Sequence, residues 1–149
     1  MPVTRRSRTI AAPRAEVWET VSDPHHLPRW WPRVERVEAA DSRGYTQVLR
    51  SDRSGAFVRA DFRAGVRRKP ELLTWTQDLA GTPFERLLRS SETRIALRDA
   101  EGGAGTEVEL AISRDWKGIS RFGVFLARRA ARRELDGALA ALAELHAPG

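Results

Sequence analysis

A change of hydrophobic period near residue 119 constrains this chain more than any other feature of its sequence. From Ile119 to His146 there is no proline, and apolar residues recur at helical spacing. At 100° per residue, one face of this predicted helix carries Val124, Ala131, Leu135, Ala138, Leu139, Leu142 and Leu145. Such a helix is ~40 Å long at 1.5 Å per residue, so it needs an extended apolar surface to lie on.

The preceding segment, residues 33–114, has the alternation that is typical of half-buried antiparallel strands. Ala60 and Phe62 alternate with charged neighbours, and the same pattern recurs around Ile95 and Leu110. Turn-forming residues separate these segments, at 41–44, 51–55, 67–70, 80–83 and 101–105. The pattern predicts six consecutive strands. The last of these turns is glycine-rich, and because a strand follows it, it indicates a hairpin and not a phosphate loop.

The N-terminal segment adds one strand, at residues 3–10, and two short helices. Pro13 suits the first turn of a helix, and Asp23 can cap a second one that begins at Pro24. The element order therefore predicts an α+β fold in which about seven antiparallel strands pack on the long C-terminal helix. Since no linker or repeat interrupts the pattern, residues 1–149 are expected to form one domain.

Charge and composition exclude several classes of protein. The chain has 26 Lys+Arg against 20 Asp+Glu, a net charge of +6, but the excess is spread thinly and disfavours a nucleic-acid partner. One block stands out, Arg114–Arg133, with seven basic residues and one acidic residue. The absence of cysteine excludes disulfides and thiol chemistry and fits a cytoplasmic protein. The apolar stretches are far shorter than the ~20 residues that span a bilayer, and no secretory signal is recognisable.

The N-terminal sequence TIAAPRAEVWETVSDPHHLPRWWPRVERVE resembles the opening of the START-like helix-grip (SRPBCC) superfamily. The later motifs LLTW, GTPFERL and GTEVEL and the long final helix follow in that superfamily's order, so the resemblance covers nearly the whole chain. It is strongest toward bacterial polyketide cyclase/dehydrase and lipid-transport-like proteins. The resemblance implies a helix-grip fold, in which a curved sheet wraps the C-terminal helix and the two short helices close one end.

The same resemblance implies a cavity between sheet and helix that takes a small hydrophobic or aromatic molecule of lipid, polyketide or isoprenoid type. No cofactor and no metal are implied, and the protein is expected to be a monomer or a homodimer. The inward-facing residues Phe62, Trp75, Ile95 and Leu110 are the expected cavity lining. Mid-strand Trp75 can equally be a core residue, because core and cavity wall are one face in this fold.

Four further residues are left with more than one interpretation. Trp30 and Trp31 either fill the core or form an aromatic wall at the cavity mouth. Arg128 lies along the rim of the core or pairs with a strand carboxylate, or it reaches the cavity, where it would hold an anionic or carbonyl group, or it belongs to a surface that meets an external anion. Asp61, on a strand face with two arginines, is either part of an exposed ion-pair ladder or a polar group of the cavity.

Catalysis is not decided by the sequence. Adjacent His25 and His26 point about 100° apart on a helix and chelate poorly, and the chain has no G-x-S-x-G motif. The catalytic residues are therefore unknown, with Asp61 and Tyr45 as the candidates for acid–base chemistry. Three functions remain, namely ligand binding without turnover, a polyketide cyclase, aromatase or dehydratase, and a START-like protein that associates with ribosomes or other macromolecules.

Overall fold

A computed structural model describes residues 3–51 and 54–148, and within them seven strands form one sheet. The strands are β1 (Val3–Ile10), β2 (Val34–Glu38), β3 (Gly44–Arg50), β4 (Phe57–Arg68), β5 (Leu72–Asp78), β6 (Leu88–Asp99) and β7 (Thr106–Trp116). The α-helices are α1 (Arg14–Val21), α2 (Leu27–Trp30) and α3 (Arg121–Leu145). Short 3-10 turns lie at Pro24–His26, Pro83–Arg86 and Glu101–Gly103.

The sheet is antiparallel throughout, in the order β1-β7-β6-β5-β4-β3-β2. The six-strand meander predicted from the alternation is confirmed as β2–β7, and β1 pairs beside β7 at one edge. The predicted turns separate the strands, although residues 52 and 53 in the turn at 51–55 lie outside the described part of the chain. Register shifts interrupt the pairing of β2 with β3, of β4 with β5 and of β6 with β7, and such bulges bend a sheet.

Helix α3 confirms the predicted long C-terminal helix. It begins after Ser120, whose side chain accepts a hydrogen bond from the backbone N–H of Gly123 at 3.1 Å. Five members of the predicted apolar face are buried, namely Ala131, Leu135, Ala138, Leu139 and Leu142. At the two ends of this face, Val124 is half-buried and Leu145 is 45% exposed.

The side on which α3 packs explains the shape of the interior. Its main contacts are with β1 and α2, and it touches β7 much less. The helix therefore lies over one edge of the sheet, and its contacts with the central strands β3–β5 are few. A space between α3 and these central strands follows from this arrangement.

The two short helices close one end of the molecule. Val17, Trp18 and Val21 form the buried stripe of α1. Before α2, the Asp23 carboxylate accepts a hydrogen bond from the backbone N–H of His25 at 2.9 Å, which confirms the predicted cap. The chain then buries Trp30 at the end of α2, where it joins the core.

The outer face of β4 forms the exposed ion-pair ladder, which was one of the two interpretations of this strand. Arg59 pairs with Glu38 at 2.7 Å, Arg63 pairs with Asp78, and Asp61 accepts a hydrogen bond from the Thr46 hydroxyl. The alternative, in which Asp61 faces the cavity, is wrong, because the opposite parity of the strand carries the inward residues. Nearby, a hydrogen bond from Arg36 lowers the pKa of Glu38 on the same surface.

Candidate functional site

A cavity of about 530 Å³ lies between α3 and the inner face of the sheet. Its walls come from β3–β7, from the residues after α2, from the turn before β6 and from α3. Ala127 and Ala130 form the helix side of the wall, and Ala60 is at its base on β4. The small size of these three side chains leaves room that longer ones would fill.

Aromatic side chains make up much of the apolar wall. Five of them line the cavity, namely Trp31, Phe62, Trp75, Phe84 and Trp116. The rings of Trp31 and Trp75 meet edge to face at a centroid distance of 5.9 Å. Trp30 packs edge to face on Trp31 from behind, at 5.3 Å. Trp31, Phe62 and Trp75 each contact another aromatic ring, which holds this part of the wall in place.

A row of neutral polar side chains lies beside these aromatic residues in the cavity lining. Gln47 on β3, Gln77 on β5, and Ser91 and Thr93 on β6 all line the cavity and are at most 9% exposed. Gln47 donates to the hydroxyl of Tyr45 at 3.4 Å. Within residues 3–51 and 54–148, the side chains of Gln77, Ser91 and Thr93 form no hydrogen bond. Their hydrogen-bonding capacity is directed at the cavity. We call these four residues the polar row.

One ion pair borders the cavity. Arg114 on β7 contacts Glu134 on α3, with 3.2 Å between Nη2 and Oε1, and their side chains are 26% and 25% exposed. The other carboxylate oxygen of Glu134 accepts a hydrogen bond from the indole Nε1 of Trp31 at 2.9 Å. Three elements that are distant in sequence are therefore joined at one carboxylate. All three residues line the cavity.

The expected site residues fall into two groups. Trp31, Phe62 and Trp75 line the cavity. Trp30, Ile95 and Leu110 are in the hydrophobic core, with at most 2% exposure, and do not line it. Trp31 and Trp75 belong to the hydrophobic core as well, so core and cavity wall overlap at these two rings, whereas Trp30, Ile95 and Leu110 are core alone.

Arg128 lies away from the main cavity. It is exposed and borders a smaller pocket of about 220 Å³, together with Thr4, Ile112 and Val124. The reason is helical phase, because residues 127, 130 and 134 of α3 face the cavity and residue 128 is turned toward the β1 side. The arginines that the structure places on the cavity are Arg33, Arg114 and Arg133.

The sequence analysis did not single out Arg114, Glu134 or the polar row, although a signal was present. Arg114 continues the inward alternation of Val108, Leu110 and Ile112 on β7. Thr93 lies at the same parity as Ile95, and Gln77 at the same parity as Trp75. Burying a polar side chain at an inward strand position costs free energy unless the side chain has a hydrogen-bond partner. Such a residue therefore indicates that this part of the sheet faces a cavity and not the apolar core.

Neither acid–base candidate lies on the cavity. Asp61 is exposed on the outer face of β4. Tyr45 is buried between the rings of Phe62 and Trp75 and borders a second pocket beside α1. Burial raises the pKa of Tyr45 well above its ordinary value of 10, so its hydroxyl stays protonated and can donate but not act as a base.

The histidines have structural contacts. His26 Nδ1 is 3.2 Å from the backbone oxygen of Thr20, and His146 Nε2 is 2.9 Å from the hydroxyl of the same threonine. In the described part of the chain, no group of three His, Asp or Glu side chains is arranged to hold a metal ion. Across the same residues, no helix has the length and apolar character needed to cross a membrane.

The fold and the enclosed cavity define the class of protein, a START-like helix-grip protein. The sequence profile described as "Polyketide cyclase / dehydrase and lipid transport" matches residues 1–147, and the chain belongs to that family. None of the curated proteins matches the sequence.

Solved structures share the fold at low sequence identity. XoxI from Bacillus cereus is 18% identical, with 98% of this chain and 96% of that chain covered and a TM-score of 0.78. A START superfamily protein from Mycobacterium smegmatis is 12% identical, with 97% and 96% covered and a TM-score of 0.77. The di-domain ARO/CYC StfQ from the steffimycin biosynthetic pathway is 11% identical, with a TM-score of 0.75. In that comparison 97% of this chain covers 50% of the other.

Proposed function

We propose that this protein binds a small hydrophobic or aromatic molecule carrying several oxygen atoms in the cavity between the sheet and α3. The observation that carries the proposal is the polar row, whose side chains lie beside aromatic residues in the cavity lining. A ligand oxygen at that position would give Gln77, Ser91 or Thr93 a hydrogen-bond partner. A volume of about 530 Å³ is within the range of small-molecule sites.

The chemistry of the walls narrows the ligand class. The aromatic wall favours flat rings or isoprenoid chains, and the neutral polar row favours carbonyl or hydroxyl oxygens. Arg114 is already paired with Glu134, so a ligand carboxylate would have to compete with that carboxylate. Arg133 also lines the cavity and has no ion-pair partner among the described residues, so it could meet an acidic oxygen. An oxygenated ring system of polyketide or quinone type fits better than a saturated fatty acid, because the fatty acid has no ring for the aromatic wall. The family description, which includes polyketide cyclases and lipid transport, agrees with this class.

A cyclase or dehydratase is the second candidate, and one observation favours it. Arg114, Glu134 and Trp31 form a hydrogen-bonded group on the cavity wall, where a carboxylate could exchange protons with a bound polyketide-like substrate. We place binding first because the Glu134 carboxylate already accepts hydrogen bonds on both oxygens, as expected for a group that holds α3 in position.

The binding proposal is tested by filling the cavity. Native mass spectrometry and tryptophan-fluorescence quenching would compare a hydroxylated anthraquinone with palmitate as probes. We expect the wild type to bind the anthraquinone more tightly. Ala127→Phe places a ring in the cavity and should abolish binding, and Ala140→Phe, at an exposed position of the same helix, should not. Equal binding by both variants would show that the probe binds elsewhere and would contradict the proposal.

The cyclase candidate has its own readout. A linear poly-β-ketone thioester is incubated with the protein, and its mass is followed, because cyclisation with dehydration releases one water molecule. Glu134→Gln should stop this reaction and leave anthraquinone binding in place. If the wild type produces no mass change above the uncatalysed rate while it binds the anthraquinone, the cyclase candidate is rejected and the binding proposal stands.

A further inference from the structure

The start of α3 exposes large apolar side chains on the outside of the molecule. Phe122, Phe125 and Leu126 are 70%, 53% and 47% exposed, and Leu87, in the connection before β6, is 54% exposed. The two segments are joined through Lys117, whose backbone N–H donates to the Leu87 carbonyl at 2.8 Å. We call Leu87, Phe122, Phe125 and Leu126 the apolar tip. It is far removed from the buried stripe on the other face of the helix.

Arginines surround and follow the apolar tip along α3. They are Arg121, Arg128, Arg129, Arg132 and Arg133, which we call the basic band. In the part of the chain that the structure describes, no member of the band has an ion-pair partner. The acids of the helix that do form ion pairs have other partners, Asp136 with Arg6 and Glu134 with Arg114. The band therefore carries a local positive charge that the protein itself does not neutralise.

Helical phase puts the helical part of the apolar tip and two arginines of the basic band, Arg129 and Arg133, on one surface. Phe122, Leu126, Arg129 and Arg133 are spaced by four, three and four residues, so they follow one another along the solvent side of α3. The apolar residues occupy the first two turns, and the arginines dominate the next two. A surface with an apolar end and a cationic region behind it matches a membrane interface, where acyl chains lie beneath anionic head groups.

We propose that the protein docks reversibly on an anionic membrane surface through this face of α3. The apolar tip enters the boundary between head groups and acyl chains, and the basic band contacts lipid phosphates. Arginine suits this role because its planar guanidinium donates two parallel hydrogen bonds to a phosphate. The contact is peripheral, since the helix stays packed on the sheet through its opposite face.

Charge argues against the two other occupants of this face. A symmetric contact with a second copy would bring the basic band of each chain against the same patch, and like charges would repel across it. A nucleic acid would satisfy the arginines and could stack a base on Phe122 or Phe125, but it would leave the aliphatic Leu87 and Leu126 in water, whereas a bilayer buries them. An anionic bilayer satisfies both the arginines and the apolar side chains.

The docking face lies beside the cavity. Phe84, which lines the cavity, belongs to the same connection as Leu87, and Ala127 follows Leu126 on α3. Docking would place this part of the cavity wall near the acyl chains, so an apolar ligand could move between membrane and protein with little exposure to water. Membrane docking goes beyond the proposed function. It is tested without any cavity ligand, so the docking proposal and the ligand-binding proposal can be refuted independently.

The test is co-sedimentation with vesicles. Vesicles of phosphatidylcholine alone are compared with vesicles of phosphatidylcholine and phosphatidylglycerol in equal parts. We expect binding to the anionic vesicles, weakened by salt, and at least about tenfold weaker binding to the neutral ones. The double variant Phe122→Asp/Phe125→Asp should lose binding to a similar extent. Leu145→Asp, which changes an exposed apolar residue at the other end of α3, should retain it.

The arginines are tested separately. Arg129→Glu/Arg133→Glu should weaken binding to anionic vesicles by about tenfold or more, and Arg5→Glu/Arg8→Glu on exposed β1 should have a much smaller effect. Circular dichroism confirms that each variant is folded. Equal binding by all folded variants would overturn the proposal. An absence of vesicle binding would also overturn the proposal. In that case, a dimer that the Phe122→Asp/Phe125→Asp variant dissociates would identify a second copy of the chain as the occupant of this face. Salt-sensitive RNA binding would instead identify a nucleic acid.

Discussion

The indole Nε1 of Trp31 donates a hydrogen bond of 2.9 Å to the carboxylate of Glu134, and this contact joins the end of α2 to the middle of α3. The same carboxylate pairs with Arg114 on β7. The three residues hold α3 at a fixed height over the sheet, and the cavity lies beside them. A single carboxylate thus helps both to fix the helix and to shape the site.

The first prediction concerns that carboxylate. Glu134→Leu should lower the free energy of unfolding by about 2 kcal/mol, because it leaves Arg114 and the Trp31 indole N–H without their acceptor. Glu134→Gln should cost about half as much, since its amide oxygen can still accept from Trp31. Urea denaturation measures both. As a control, Glu107→Gln breaks an exposed pair with Arg98 and should leave the free energy of unfolding almost unchanged.

If Glu134→Gln and Glu134→Leu lowered the free energy of unfolding equally, the hydrogen bond from Trp31 would contribute nothing to stability. The stability of α3 on the sheet would then come from its apolar face alone.

The second prediction concerns the polar row, where a substitution of a buried residue is expected not to lower the stability of the fold. Thr93→Val removes a buried hydroxyl that has no protein partner, so we expect unchanged or higher stability, by up to about 1 kcal/mol, and weaker binding of an oxygenated ligand. The matched control is Thr106→Val. The Thr106 hydroxyl is fully buried and donates to the carbonyl of Ala12 at 2.7 Å, so its loss should cost about 1–2 kcal/mol.

Thermal unfolding and anthraquinone titration measure the two effects. A destabilised Thr93→Val variant with unchanged affinity would mean that this hydroxyl serves the fold and not the ligand.

The third prediction concerns alkaline pH. Burial raises the pKa of Tyr45, so the native state favours the neutral phenol. Its contribution to stability is complete below the unfolded pKa of about 10 and is lost as the pH rises above that value. Because Tyr45 is the only tyrosine, phenolate absorbance reports this residue alone. We expect phenolate to appear together with the loss of far-ultraviolet circular dichroism.

Tyr45→Phe should make the free energy of unfolding less dependent on pH above about pH 10. Phenolate formation near pH 10 in a protein with intact circular dichroism would show that the hydroxyl is accessible in the native state.

Much of the fold could be predicted from local sequence, and the site could be predicted only in part. The period of the apolar residues indicated the long helix. The alternation on β4–β7 separated inward from outward positions correctly, and an outward Asp61 was one of the two interpretations of its strand. The aromatic residues Trp31, Phe62 and Trp75 were expected at the cavity and line it. The expectation for Arg128 differed from its position because one residue of helix turns a side chain by 100°.

The sequence by itself determined the elements, their order and the parity of each strand, because these depend on spacings of two to four residues. The tertiary structure decided which inward residues became core and which became cavity wall. That difference follows from where α3 lies. It packs over β1, closing the interior around Leu110 and Ile95, and leaves Thr93 and Gln77 facing open space. The position of a helix over a sheet is set by many distant contacts, such as Trp31 with Glu134, and no local pattern encodes it.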